Sequence, residues 1–233
     1  MTWSFRSLLA VAFAGPALCV GLEAFAGPPL DSTTMVRLTP GFGGVCQSCD
    51  LSGRVMRGAR ISGGVFSKSD FSRSVMSRAN ASGSVFEDAN FTRADLSYAT
   101  LSDGKFKSAQ FRGANLGHCD ASRADLKGAD FTSAELGSAN FTQTSLDKAV
   151  FVAARAPSAI FIGAILKRAN FTYAQLQKAD FSGADLAGAD FSNARLQGAN
   201  LSAARNLTPK QLHYACGDVR TKLPAGMTIA MCH

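Results

Sequence analysis

Two cysteines three apart, Cys46 and Cys49 in "VCQSCDLSG" (45–53), are the residues of this chain best placed to do chemistry. A C-x-x-C pair can act as a thiol-disulfide exchange centre when one thiolate is stabilised, or it can be a plain disulfide that closes a cap. The catalytic reading lacks its usual surroundings, since no βαβ pattern or cis-proline context accompanies the pair. The other reactive residues are scattered. His118, His213 and His233 are far apart in sequence, show no metal-ligand spacing and read as solvated surface groups. Asp125, Asp130, Asp180, Asp185 and Asp190 each stand directly before a Leu or Phe, so a repeat accounts for them. No glycine-rich phosphate loop, G-x-S-x-G or H-E-x-x-H is present. Catalysis requires such groups gathered in a concave, partly dry pocket, and these are not gathered. The expectation is a protein that is not an enzyme and that carries no cofactor and no metal.

The elements that would position these residues follow an unusual period. In "ADLKGADFTSAELGSANF" (124–141), Leu126, Phe131, Leu136 and Phe141 are five apart, which suits neither an amphipathic helix nor a half-buried strand. From Leu51 to Leu201 the 31 positions ending in 1 or 6 hold thirteen Phe, twelve Leu, two Met (Met56, Met76), Ile61 and three Ala (Ala81, Ala121, Ala156). Two residues before them, 22 of the 31 positions are Ala. On a helix a step of five rotates 500° and smears the apolar positions around the cylinder. A chain that turns by a quarter every five residues instead returns each large side chain to one axis, and four quintets close a coil of 20. The large residue fills the middle of a side, the small one fits the corner, and the other three face outward.

Residues 20 apart should then stack. Phe71, Phe91, Phe111, Phe131, Phe151, Phe171 and Phe191 fall on that spacing and form an expected core ladder. Each buried Phe contributes on the order of 2 to 3 kcal/mol. Nearly eight coils at a strand spacing of ~4.8 Å make a rod ~37 Å long. Its two ends need caps, because open strand edges recruit other chains.

These residues resemble the pentapeptide repeat family, whose unit is A-(D/N)-(L/F)-x-x; "ADFSGADLAGADFSNARLQGANL" (179–201) is close to that consensus. The resemblance implies an all-β fold, a right-handed quadrilateral β-helix of nearly eight coils. The tail is similar to that of exported members with one Cys in a C-terminal cap and another near the terminus, which implies a Cys216–Cys232 disulfide. Closing that loop of about 15 residues would contribute roughly 3 kcal/mol in the chain-entropy model.

Four segments result. Residues 1–26 read as a signal peptide: Arg6 precedes an apolar run from Leu8 to Leu22, followed by Ala24-Phe25-Ala26 with cleavage expected after Ala26. That run is short for a membrane span, so no transmembrane segment is expected after removal. Residues 27–50 form an N-terminal extension and cap, 51–204 the solenoid, and 205–233 a C-terminal helical cap with a cysteine tail. The cap helix is read from "LTPKQLHYACGD" (207–218), with Thr208 as N-cap, Pro209 at the first position and Gly217 after its end. Cys119 stands at an Ala position and reads as a buried unpaired thiol.

One stretch breaks the polar exterior. "AVFVAARAPSAIFIGAIL" (149–166) puts Val150, Val152, Ile160, Ile162 and Ile165 at outward positions around Ala156 and Pro157. It reads either as a local bulge or as a contact surface. Ser72, Thr92, Thr132, Thr172 and Ser192 form a hydroxyl strip that could order water or meet a polysaccharide.

Export and the net charge of +7, unchanged by loss of Arg6 and Glu23, shape the functional reading. The chain is expected in the periplasm or outside the cell as a non-enzymatic structural or interaction scaffold. Its partner would be an unknown protein or an anionic envelope component, with an end-to-end homodimer also open to it. Nucleic acid is disfavoured, because only Tyr98, Tyr173 and Tyr214 offer stacking rings outside the core. Two alternatives are a thiol-disulfide redox protein using Cys46 and Cys49, and a gyrase-binding DNA mimic of the kind the family contains. A basic exported chain opposes the latter.

Overall fold

A computed structural model describes residues 44–232 of the chain. The segment expected to be a leader, 1–26, its expected cleavage site and most of the expected 27–50 extension lie outside the described residues. From Val45 onward, parallel β-bridges join each residue ending in 0 or 5 to the residue 20 further on, from Val45↔Val65 to Asp185↔Arg205, with no slip of register. Four bridges per 20 residues make a four-sided coil, a β-solenoid.

The quarter turn has a definite backbone cause. Every residue ending in 3 or 8 from Ser48 to Gly198 has φ between 54° and 72°, the left-handed region, whatever its side chain. For a non-glycine residue this costs roughly 1–2 kcal/mol. The ladder and the core offset that cost. Around Phe91, the Phe91 N–H donates to the Gln110 carbonyl at 2.7 Å and the Arg93 N–H to that of Arg112 at 2.9 Å. The Asn90 N–H donates back to the Ser69 carbonyl at 2.9 Å, and the Ala94 N–H closes the turn on the Phe91 carbonyl at 3.0 Å. One donor per quintet remains, and the Asp or Asn before the central residue accepts it: Thr92 N–H donates to Asn90 Oδ1 at 3.0 Å. The frequent Asp/Asn-x-Ser/Thr pattern is therefore an Asx turn that completes the backbone accounting.

Inside the shaft the side chains are fully buried from Phe71 onward. Rings of the Phe71-to-Phe191 ladder stack with centroids 4.7–5.1 Å apart and interplanar angles of 4–12°. A second aromatic column stands beside it. Phe66, Phe86 and Phe106 stack on one side of the shaft, and Phe141, Phe161 and Phe181 take over on the neighbouring side. The two columns meet edge to face, as between Phe151 and Phe161 at 5.8 Å and 87°. Where two Phe share a coil, a third side can be small, which explains Ala81 beside Phe71 and Phe86 and Ala156 beside Phe151 and Phe161. Ala156 balances volume in a well-packed coil.

The C-terminal cap differs from the helix expected over 207–218. Only a single 3-10 turn forms, Pro209–Leu212 after Thr208. The chain then returns to the coil: Cys216–Gly217 (β1) extends the ladder on Arg195 and pairs in parallel with Ala230–Met231 (β2). Gly217 is thus a strand residue and not a helix stop. A Cβ there would lie 2.6 Å from Thr221 Oγ1, so the close approach demands glycine. Helix propensity lost because Leu212 and Ala215 are buried on the last coil and the open edge needed strand partners. Gln211 completes the seal, its Nε2 donating to the carbonyls of Leu186 and Ala189 at 2.7 and 2.8 Å.

Candidate functional site

The paired cysteines lie at the two ends of the rod. Cys46 takes a large central position and Cys49 the following small one, in the first coil, where they form a disulfide with Cα atoms 5.7 Å apart. Each is 4% exposed, so the bond faces into the shaft beneath the turn Gln47–Ser48. Cys216 and Cys232 form the other disulfide, Cα atoms 4.9 Å apart, tying β2 to β1. Cys119 is a free buried thiol whose pKa is pushed up to about 12, first by burial and then by the adjacent Asp120 carboxylate. At neutral pH it is a protonated, apolar core group.

The hydroxyl strip is not a row of free donors. Thr132 and Ser192 donate their hydroxyls to Asp130 and Asp190 at 2.6 Å and Thr172 donates to Asn170 in the same way, while Ser72 and Thr92 bond Asp70 and Asn90 through their backbone N–H groups. Their protons are committed to the Asx turns. The same bonds set the acidity of the carboxylates. For Asp190 the Ser192 hydroxyl is the largest cause of a lowered pKa. For Asp130 burial pulls the other way, yet Thr132 and Arg112 together hold the pKa below the usual range.

The apolar stretch keeps its register, with Asn140↔Ile160 and Ile160↔Asp180 both bridged, so it is not a bulge. What distinguishes this coil is that Val150, Arg155, Ile160 and Ile165 replace the Asx acceptor on all four sides. Pro157 then fits, because the N–H it removes is the one that would have had no Asx acceptor. Val150 and Val152 lie on the side opposite Ile160 and Ile162, and Ile165 on the next side round. Only Ile162 and Ile165, at 41% and 42%, are exposed.

Of the histidines, His118 stacks on Tyr98 at 4.8 Å on an outer corner, and His213 sits against Tyr214 in the cap. Among the described residues no group of His, Cys, Asp and Glu has the arrangement of a metal site. Sequence reasoning missed the second aromatic column and the left-handed corner. The first was visible as Phe66, Phe86 and Phe106 and as Phe141, Phe161 and Phe181, again 20 apart. The second had only a faint signal, the frequent Gly at positions ending in 3 or 8.

The outward chemistry is therefore spread over four flat sides, and comparison with known proteins agrees with that shape. The family model described as pentapeptide repeats (8 copies) matches residues 69–109, 109–147, 134–172 and 164–202. No curated protein matches the chain. Among solved structures, the chain is similar to HetL, a pentapeptide repeat protein involved in heterocyst differentiation regulation from the cyanobacterium Nostoc sp. strain PCC 7120. The identity is 24%, with 79% of this chain and 83% of that one covered and a TM-score of 0.58. It is also similar to a trypsin-treated form of QnrB1, a plasmid-mediated fluoroquinolone resistance protein, at 22% identity over 75% of this chain and 91% of that one, TM-score 0.67. At these identities the likeness is one of fold. The matched repeats span more than half of the sequence, so the chain belongs to the pentapeptide repeat family, and its coil is a right-handed β-helix.

Proposed function

We propose that this protein is a non-enzymatic scaffold of the cell envelope, periplasmic or secreted, whose flat outer sides hold a partner. The observation that carries this reading is the use of every large inward side chain to fill the shaft. Phe, Leu and Ala fill the described coils with buried side chains, and the chemically varied residues lie on the outside. The leader-like segment at 1–26 supports the address. The partner is a protein or an anionic envelope component; an end-to-end pairing of rods through the capped termini is a further option. A net charge of +7 speaks against imitation of duplex DNA and so against a gyrase-binding role.

The redox alternative draws no support from Cys46 and Cys49, bonded to each other and almost wholly covered. Thiolate exchange needs access to a sulfur, and the pair offers little. It acts instead as a lock on the first turn. Photo-crosslinkers placed at Tyr98, Ile162 and Tyr173 in intact cells test the scaffold reading. Capture of one envelope component from one side is expected. Capture only of cytoplasmic proteins, or rapid labelling of Cys46 or Cys49 in mildly reduced native protein, would overturn it.

A further inference from the structure

The charge of this rod is unevenly placed. In the first three coils one side carries arginines along both of its edges. Arg54, Arg73 and Arg93 line the edge where the side begins, and Arg57 and Arg78 line the edge where it ends. All five are exposed, and none forms an ion pair among the described residues. The first carboxylate on this side is Asp95, already occupied by Asn115 Nδ2 at 3.2 Å. Between the two edges lie half-buried Val55 and Val75 and buried Ser77. Further along the rod Arg112, Arg123, Arg155 and Arg168 each sit on a carboxylate and Arg205 donates to the Gly183 carbonyl, while Arg195 forms no ion pair among the described residues.

From this we propose that the arginine-edged side binds the phosphate headgroups of an anionic lipid leaflet, the rod lying with that side against the membrane. The inference rests on the scaffold reading and names the anionic component that reading leaves open. Guanidinium groups suit it, being weakly hydrated and able to take phosphate oxygens two at a time. The side is flat, with charge along two parallel edges and apolar residues between, which matches a plane of headgroups over acyl chains. A single nucleic-acid strand fits poorly. It needs several open, aligned aromatic faces, whereas Tyr98, the tyrosine beside the arginines, is covered by Arg78 at 5.8 Å above and His118 at 4.8 Å below, and Tyr173 stands on the same side four coils beyond Arg93.

The test is co-sedimentation of the protein, as isolated from cells, with vesicles of equal parts phosphatidylglycerol and phosphatidylcholine at about 0.1 M salt. One variant combines Arg57→Gln, Arg73→Gln, Arg78→Gln and Arg93→Gln. Gln143 already occupies a left-handed corner like those of Arg73, Arg78 and Arg93, with φ 57°, and Gln177 and Gln197 hold the place in the quintet that Arg57 has, so these changes leave the fold intact, which circular dichroism checks. The control removes equal charge from the opposite side by Lys105→Gln, Lys107→Gln, Lys127→Gln and Lys148→Gln. At about fivefold per basic residue near the surface, the arginine variant loses more than about 100-fold in partitioning. The lysine variant loses less than about threefold, and neutral vesicles bind neither. Equal losses in both variants, no binding by the unaltered protein, or tighter binding of duplex DNA or polyglutamate at the same salt would each overturn the proposal. Crosslinking to a protein partner in cells would survive such a result, so the failure of this inference is distinguishable from that of the scaffold itself.

Discussion

Replacing Phe151 by Ala asks whether the shaft is a close-packed column or a loose apolar filling. Phe151 is fully buried and lies between Phe131 at 4.8 Å and Phe171 at 4.7 Å, with Phe141 and Phe161 edge-on at 6.3 and 5.8 Å. A buried Phe→Ala change costs about 3–5 kcal/mol, the spread reflecting how far the site collapses. Collapse is hindered here. The hydrogen-bonded ladder fixes the coil spacing above and below, and Ala156 on the next side has no bulk to lend. The loss should therefore fall at about 4–5 kcal/mol, with interrupted ring pairs adding to the cavity term. Phe151→Leu keeps most of the volume and forfeits chiefly the stacking, about 1–1.5 kcal/mol. Equilibrium denaturation with the disulfides intact, followed by far-ultraviolet circular dichroism, measures both. Because a solenoid can unfold in sections, two probes at different coils are needed to establish that one transition is being read. If the Ala and Leu variants lose equally little, below about 1 kcal/mol, the shaft is a loose filling and the close-packed column is refuted.

Three further outcomes are expected. Ala153→Gly places glycine at a corner with φ 54° and should raise stability by about 0.5 kcal/mol, the relief of left-handed strain less glycine's entropy; a loss in the same denaturation assay would mean that the corner stores no such strain. Cys232→Ser removes the bond that holds β2 on β1 and should cost roughly 3 kcal/mol, seen as a lower melting temperature and faster amide exchange at Cys216 and Gly217, with the central coils unaffected. Acid should loosen the C-terminal cap first. Asp218, held by Arg220 and by the Gly198 N–H at 2.8 Å, has its pKa lowered from 3.8 to about 2. A depressed folded-state pKa gives stability that is complete above the unfolded value and is lost as pH falls through the folded one. The protection factor at Gly198, which divides out the intrinsic pH dependence of amide exchange, should therefore fall between about pH 4 and about pH 2 and stay constant above it, and Asp218→Asn should abolish that step.

Much of this molecule was legible before any coordinates, because its period is strict and its chemistry simple. A large apolar residue every five positions with Ala two before it permits few backbone paths, and a 20-residue recurrence of Phe identifies stacked sides. Local signals fared worse wherever two demands competed. Thr208, Pro209 and Gly217 carry every mark of a helix, yet the open end of a parallel coil needed strand partners and buried Leu212 and Ala215, and tertiary packing prevailed over propensity. Ala156 and Pro157 depart from the repeat in sequence, and only the neighbouring Phe column and the missing Asx acceptor explain both. Thr132 and Ser192 belong to a hydroxyl strip, yet both spend their protons on Asx turns, a fact no count of outward residues reveals.

The coil, its length and the direction of nearly every side chain in it follow from the order of residues, since the hydrophobic period decides which of them meet the axis; Arg54, at a small inward position of the first coil yet exposed, is an exception. Which arginines are paired and which are not was settled by the folded chain. Pairing depends on what stands one coil away, 20 residues distant, so Arg123 finds Asp103 while Arg73 and Arg93 stand one above the other. The fold also settled the ends, where the repeat stops supplying partners and the chain must close its own edge by whatever strand, turn and disulfide it has left.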